Sequence, residues 1–123
     1  MKIEEIYQRL ITDTVNIHNI EECALVSNLA VVDVFEKISL LFAIRFHQGI
    51  ETYENADDGM NRVWSLMIDY TLKNKIETVE LCHSIYLAFD EGEYCRHGNS
   101  FDPVETYTKP KIAEILKAIL RNC

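Results

Sequence analysis

Four residues in the C-terminal half of the sequence carry side chains that could bind a metal ion. Cys82 and His83 are adjacent, and Cys95 and His97 follow within sixteen residues. Two Cys and two His form the ligand set of a tetrahedral zinc site. However, neighbouring side chains on a helix point about 100° apart, so Cys82 and His83 cannot easily hold one ion. The spacing also matches no established zinc motif. We therefore expect no metal and no other cofactor.

Cys95 and His97 could also form a thiol nucleophile with its base, which would make the protein an enzyme. The carboxylates of Asp90, Glu91 and Glu93 precede them. Negative charges next to a thiol raise its pKa and lower its reactivity. The sequence also contains no serine nucleophile elbow, phosphate-binding glycine loop or dinucleotide motif. We predict that the protein is not an enzyme.

Two acidic stretches favour a binding function instead. Residues 51–58 contain four carboxylates and no base, and residues 77–107 contain seven acidic residues against Arg96 alone. Aromatic residues among carboxylates are typical of a surface that anchors a cationic partner. We predict these partner-binding residues: Glu51, Glu54, Asp57, Asp58, Asp90, Glu91, Glu93, Tyr94, Phe101, Asp102 and Glu105. The alternative is that the carboxylates only solvate loops and favour helix N-termini.

The C-terminal segment differs in charge. Its last fifteen residues carry four basic side chains against Glu114, so it would repel a basic partner. Its apolar residues follow helical spacing, and we expect the core to need all of them: Ile112, Ile115, Leu116, Ile119 and Leu120. The predicted binding face is therefore the region 90–105, with residues 51–58 as a second acidic wall.

The hydrophobic pattern predicts helices as the elements that position these residues. The first helix is expected over residues 3–18. Residues 21–47 are apolar on nearly every side, which predicts a central helix, although Ser27-Asn28 could split it and a strand stays possible over residues 31–35. Gly49 is expected as the C-cap glycine of this helix.

The second half of the chain predicts further helices separated by polar loops. A loop over residues 51–59 should lead into a helix that Asp57 or Asp58 caps. Another helix is expected over residues 76–90, followed by an irregular stretch to Phe101 and a turn capped by Asp102. The predicted fold is all-α: an irregular bundle of five to six helices around the apolar central helix, with residues 1–123 forming a single domain.

The amino-acid composition further restricts the partners and the location that we expect for the protein. A net charge of −8 disfavours binding to nucleic acid or to an anionic membrane, because phosphate binding needs a cationic face. The charged residues at the N-terminus do not resemble a secretion signal, and no apolar run is long enough to span a bilayer. We therefore expect a cytoplasmic protein with reduced thiols.

One segment resembles a known family. Residues 88–94 (AFDEGEY) and 102–112 (DPVETYTKPKI) are similar to the C-terminal part of small bacterial immunity proteins. These proteins accompany polymorphic toxins, including those of contact-dependent growth inhibition. The resemblance implies an acidic, non-enzymatic protein that neutralises a cognate basic toxin domain, commonly a nuclease, by covering its active or substrate-binding face.

A second hypothesis is a helical adaptor or regulatory subunit that binds a small ligand or a homologous chain. Met60, Trp64 and Met67 follow helical spacing and could line a pocket in such a protein. The same spacing is more often found in an ordinary hydrophobic core.

Overall fold

The computed structural model describes residues 1–93 and 102–121. Within these residues it contains no strand and six α-helices: α1 (Ile3–Ile11), α2 (Ile17–Ser27), α3 (Val31–His47), α4 (Tyr53–Asn74), α5 (Glu80–Asp90) and α6 (Lys109–Arg121). A short 3-10 helix, Glu91–Glu93, continues α5, and a π-helical turn, Val104–Thr108, leads into α6. The prediction of an all-α fold is confirmed. Residues 31–35 begin a helix and form no strand.

Helix α3 is the centre of the bundle, as its all-round apolar sequence predicts. It contacts each of the other five α-helices. Its Phe42 is fully buried, and the Phe42 ring lies 4.3 Å from the Tyr7 ring of α1. On the other side, a Cβ atom added to Gly59 of α4 would lie 2.2 Å from Phe42 Cζ. Helices α1, α3 and α4 therefore pack very closely around this one ring.

The helix predicted over residues 3–18 is too long, because a local capping signal within that range starts a second helix. Helix α1 ends at Ile11, and Asp13 adopts a left-handed conformation with φ +56°. Asn16 then starts α2: its side chain accepts a hydrogen bond from the Asn19 amide at 3.1 Å, while Asn19 Oδ1 accepts one from the Asn16 amide at 2.9 Å. This reciprocal capping box satisfies two N–H groups that would otherwise lack partners.

The boundaries of α2 and α3 follow residues with special backbone conformations. Asn28 is left-handed (φ +55°) and ends α2, so the split expected at Ser27-Asn28 is confirmed. Gly49 adopts φ +77° after α3, and the Ile50 amide donates to the Arg45 carbonyl at 2.9 Å. The expected C-cap glycine is therefore confirmed.

The predicted start of the fourth helix is wrong. Helix α4 begins at Tyr53 because Thr52 caps it, with Thr52 Oγ1 accepting a hydrogen bond from the Asn55 amide at 3.2 Å. Asp57 and Asp58 are consequently inside the helix and do not cap it. Helix α5 likewise begins at Glu80 and not at Ile76.

The C-terminal helix is less buried than the sequence pattern predicts. Of its five stripe residues only Ile112 is fully buried, and Leu120 is 74% exposed. The cap before it is confirmed, because Asp102 Oδ1 accepts a hydrogen bond from the Val104 amide at 3.0 Å. Across residues 1–93 and 102–121, none of the helices has both the length and the apolar character needed to cross a bilayer.

Candidate partner-binding site

Three aromatic rings join the helix ends that carry the predicted acidic residues. Phe46 at the end of α3 lies edge-on to Phe89 near the end of α5, with ring centroids 5.2 Å apart. The ring of Tyr53, the first residue of α4, lies 6.2 Å from each of them. The Tyr53 hydroxyl donates a hydrogen bond to the Phe89 carbonyl at 2.6 Å. The beginning of α4 is thus attached to the end of α5.

A glycine and a threonine close the same region from the other side. The Thr108 hydroxyl donates to the Ala88 carbonyl at 2.8 Å, which satisfies another free carbonyl at the end of α5. A Cβ atom on Gly92 would lie 2.4 Å from Thr108 Oγ1 and 2.8 Å from the Tyr53 hydroxyl oxygen. Only glycine fits at this position, so the 3-10 helix can lie directly against α4 and the π-helical turn.

This packing brings carboxyl groups from the two predicted stretches together. Asp57 lies one helical turn after Tyr53, is only 6% exposed, and interacts with the Glu93 carboxyl. Burial, followed by the hydrogen bond and charge of Glu93, raises the pKa of Asp57 to about 8. The hydrogen bond with Glu93 is also the main reason that the pKa of Asp90 is raised. We call Asp57, Asp58, Asp90, Glu91 and Glu93 the acidic end.

The pKa of the neighbouring Tyr53 reflects the negative charges of these carboxyl groups. Burial is the main reason that its pKa is raised. The charges of Asp57, Glu93, Asp90 and Asp58 raise it further. Several carboxylates therefore act on one point, which indicates a concentrated negative potential.

No described cation neutralises the acidic end. Over residues 1–93 and 102–121, the ion pairs of lysine, arginine and the N-terminus involve other carboxylates, namely Glu4, Asp13, Glu22, Glu105 and Glu114. The bidentate pair of Arg45 with Glu4 is the closest to ideal geometry, at 3.1 and 2.7 Å. Among residues 1–93 and 102–121, no lysine, arginine or N-terminal amine is paired with a carboxyl group of the acidic end.

The other predicted residues have separate surroundings. Glu51 is half-buried and accepts hydrogen bonds from the Tyr7 hydroxyl and from Asn55 Nδ2. Glu54 is exposed on α4. Asp102 and Glu105 are exposed as well, but Asp102 caps the π-helical turn and Glu105 pairs with Lys109. Tyr94 and Phe101 lie outside the described residues.

The sequence analysis missed three residues that build this site. Tyr53, Gly92 and Thr108 hold the helix ends together, yet none of them carries charge. One signal was available for Tyr53: with Thr52 as the N-cap, Tyr53 falls four residues before Asp57 and therefore on the same side of α4. The roles of Gly92 and Thr108 depend on a tertiary contact that has no local signature.

The predicted divergence of Cys82 and His83 is confirmed. Cys82 is fully buried, and burial raises the pKa of its thiol to about 11. His83 is exposed and stacks on Trp64, with ring centroids 4.8 Å apart and planes 17° from parallel. In the part of the chain that the structure describes, no three His, Cys, Asp or Glu residues are grouped to hold a metal ion. Cys95 and His97 lie outside that part.

The three residues considered for an adaptor pocket pack against other side chains. Met60 and Met67 are fully buried in the core. Trp64 is only partly buried, and its indole also stacks on Tyr86 at 4.9 Å. These three residues therefore belong to the packing between α4 and its neighbours.

Comparison with known proteins gives no match for the chain. No family model, no curated protein and no solved structure is significantly similar to it. Function therefore has to be argued from the surfaces of the chain itself.

Proposed function

We propose that this protein is an immunity protein that binds a cognate basic toxin domain of the nuclease class and covers its active or substrate-binding face. One observation carries the proposal: five carboxyl groups lie at one end of the bundle, their proximity helps to raise the pKa of Asp57 and of Asp90, and no described cation is paired with them. The resemblance of residues 88–94 and 102–112 to immunity proteins agrees with it.

The chemistry of such a partner fits the acidic end. A nuclease binds phosphates with a cationic surface. Clustered carboxylates present the same sign of charge as a phosphate backbone and would accept hydrogen bonds from lysine and arginine. Approach of cations would also relieve the mutual repulsion of Asp57, Asp90 and Glu93, because an opposite charge lowers the pKa of a carboxyl group. Binding would therefore release protons at neutral pH.

Charge alone increases the rate of association with a partner more than it stabilises the complex. A stable complex also needs buried aromatic anchors. Tyr53 is unsuited to this role, because its hydroxyl already donates to the Phe89 carbonyl. Tyr94 and Phe101 remain the predicted anchors, since they lie in the chain between Glu93 and Asp102.

The test uses the gene immediately upstream of the one that encodes this protein. Its C-terminal domain is expressed in cells, alone and together with this protein. We expect the domain to be toxic alone and the toxicity to be relieved by the wild-type protein. If the domain is toxic and this protein gives no relief, the proposal is wrong.

A matched pair of variants then tests the surface. Asp90→Lys with Glu93→Lys should lose protection. Asp69→Lys with Glu77→Lys changes the net charge by the same amount on exposed residues far from the acidic end, and it should keep protection. If both variants protected equally well, the acidic end would not be the binding face.

A further inference from the structure

A groove of about 800 Å³ between α3 and α6 exposes apolar side chains. Leu40 and Ile44 of α3 form one side, and Ala113, Leu116 and Leu120 of α6 form the other. Ile44 is 38% exposed and Leu120 is 74% exposed. The stripe that the sequence predicts as core therefore leaves part of the apolar side of α6 exposed.

The two helices that form the groove run antiparallel along it. His47 near the end of α3 and Lys109 at the start of α6 line one adjoining cavity of about 380 Å³, so Leu120 at the other end of α6 lies toward the Leu40 end of the groove. From Leu40 to His47, and from Ala113 to Leu120, each side spans about 10 Å of helix. This is the length over which a third helix presents side chains at positions i, i+3, i+4 and i+7.

The chemistry of the two sides favours a helix over other occupants. The backbone N–H and C=O groups of α3 and α6 are bonded within their own helices, so few of them are free to bind an extended chain. A helix satisfies its own backbone and needs only side-chain contacts. A small ligand in a pocket is about 70–90% buried, whereas the exposure of Ile44 and Leu120 would leave much of a small molecule in water.

Three cationic side chains lie at the Leu40–Leu120 end of the groove. Lys117 lines the groove, Arg121 follows Leu120, and Lys37 precedes Leu40 by about one turn on the same side of α3. None of the ion pairs among residues 1–93 and 102–121 involves these three side chains. The groove therefore has a local excess of positive charge on a chain whose net charge is −8.

Two carboxylates near the groove do not remove this excess. Glu114 lines the groove, but its carboxylate lies 3.8 Å from Lys111 Nζ of the same helix, which offsets its charge. Asp33 lies one turn farther from the groove than Lys37. Unpaired cations beside exposed apolar side chains are complementary to a partner that is apolar and acidic.

We propose that this groove binds an acidic amphipathic helix of a partner protein. The apolar side of that helix packs between Ile44 and Leu116, and its carboxylates face Lys37, Lys117 and Arg121. The α6 helix of a second copy would bring cations against cations, which opposes its binding here. The groove therefore selects a partner of the opposite charge from the partner proposed for the acidic end.

The first test uses a fluorescein-labelled peptide of about 16 residues, long enough to form a helix across the groove. It carries leucine at positions i, i+3, i+4 and i+7 and glutamate on its other side, and its control is a scrambled peptide of the same composition. Fluorescence anisotropy is measured at about 0.15 M salt, which screens charges beyond about 8 Å. We expect a Kd of about 10–100 μM for the amphipathic peptide and binding at least about tenfold weaker for the scrambled one.

Three results of this test would overturn the proposal. The first is no binding of the amphipathic peptide at protein concentrations up to about 1 mM. The second is equal affinity for the scrambled peptide. The third is a groove occupied by a second copy, which sedimentation equilibrium would show as a dimer that Leu120→Asp abolishes while the peptide fails to bind.

The second test places the peptide in the groove with a matched pair of variants. Leu120→Asp should weaken binding at least about tenfold, because it sets a carboxylate among the apolar contacts. Leu72→Asp is the control, since Leu72 is also 74% exposed but lies near the end of α4, outside the groove. It should bind the peptide like wild type. Both variants should keep the helical circular dichroism spectrum, and equal binding by the two would overturn the proposal.

The third test uses charge. Lys117→Glu with Arg121→Glu should weaken binding of the acidic peptide about tenfold or more, because two attractive contacts become repulsive. Lys73→Glu with Lys75→Glu makes the same change in net charge on exposed residues at the end of α4, and it should weaken binding far less. An equal loss in both variants, or no loss in the first, would show that the cations of the groove do not select the partner.

The proposal is independent of the immunity function. Asp90→Lys with Glu93→Lys should not weaken binding of the acidic peptide, and Leu120→Asp should keep protection against the toxin domain. Peptide binding without relief of toxicity would contradict the immunity function alone, and relief of toxicity without peptide binding would contradict the groove alone.

Discussion

The buried carboxyl group of Asp57 on α4 lies beside the carboxyl group of Glu93 in the 3-10 helix after α5, and the two groups interact. Burial, and after it the neighbouring Glu93, raises the pKa of Asp57 to about 8, so the Asp57 carboxyl group is mostly protonated at neutral pH.

The first prediction concerns stability and pH. Because the folded pKa of Asp57 is raised from 3.8 to about 8, the protein gains stability from this group below pH 3.8 and loses it as pH rises through about 8. Asp57→Asn removes this loss, so the variant should be more stable than wild type at about pH 9 by about 1–3 kcal/mol, with a much smaller difference at about pH 5. Urea unfolding at the two pH values measures the effect.

Asp58→Asn is the matched control, because Asp58 is the exposed neighbour of Asp57. It should change the pH dependence far less. If the free energy of unfolding of wild type and of Asp57→Asn changed in the same way with pH, Asp57 would not be a buried, protonated carboxyl group in the folded protein.

The second prediction concerns association. With the cognate toxin domain in hand, Asp90→Lys with Glu93→Lys should slow association about tenfold or more at low salt, because the steering field is lost. The variant should fold normally, since a lysine near the end of α5 interacts favourably with the helix dipole. Stopped-flow measurements at two salt concentrations give the result. An association rate within a factor of about two of wild type at low salt would show that the acidic end is not the contact face.

The third prediction concerns the contact between Gly59 and Phe42. Glycine-to-alanine changes inside a helix usually stabilise by about 0.5–1 kcal/mol. Here the new Cβ atom would lie 2.2 Å from Phe42 Cζ, inside a closely packed core. We expect Gly59→Ala to lower the free energy of unfolding by about 1–3 kcal/mol.

Phe42→Leu removes the atoms that the new methyl group would meet. The double variant should therefore lose less stability than the sum of the two single changes, a coupling that thermal or urea unfolding can measure. If the stability changes of Gly59→Ala and Phe42→Leu were strictly additive, the close contact between these two positions would be contradicted.

The fourth prediction concerns Arg62, which attaches α1 to α4. Its Nη1 atom donates to the carbonyl oxygens of Leu10 and Ile11 at 2.6 and 3.1 Å, and its Nε atom lies 3.4 Å from Asp13. Arg62→Met keeps an apolar stem but leaves the two carbonyl groups without this donor. It should lower the free energy of unfolding by about 1.5–3 kcal/mol, the range for hydrogen bonds from a charged group.

Arg62→Lys should recover part of that loss, because a lysine still supplies a charged donor but not the fixed geometry of the guanidinium group. If Arg62→Met were as stable as wild type, the hydrogen bonds that Arg62 makes to the end of α1 would be unimportant.

The sequence was sufficient to predict the fold class, the central helix and the end of α3. The all-round apolar character of residues 31–47 has only one good solution, a helix with neighbours on every side. Gly49 supplied a conformation that other residues avoid. The helix starts at Asn16 and Thr52 were not predicted, because a capping side chain competes locally with other possible caps and has no periodic pattern.

The candidate site was only partly predictable. Charge counts along the chain identified both acidic stretches, but the contact between Asp57 and Glu93 depends on how α4 packs against α5. The prediction that the core buries the whole apolar stripe of α6 was wrong for a related reason. Its apolar stripe was correctly identified as a pattern, yet a pattern does not say whether the same chain covers it, and only Ile112 is fully buried.

The shallow attachment of α6 has a consequence for hydrogen exchange. Helix α6 is anchored in the core by Ile112 near its start, whereas Leu120 near its end is mostly exposed. The amide groups of its last turns can therefore open to solvent without global unfolding, at a small fraction of the free energy needed to open α3. Deuterium should therefore enter the amide groups at the end of α6 early and those of α3 late.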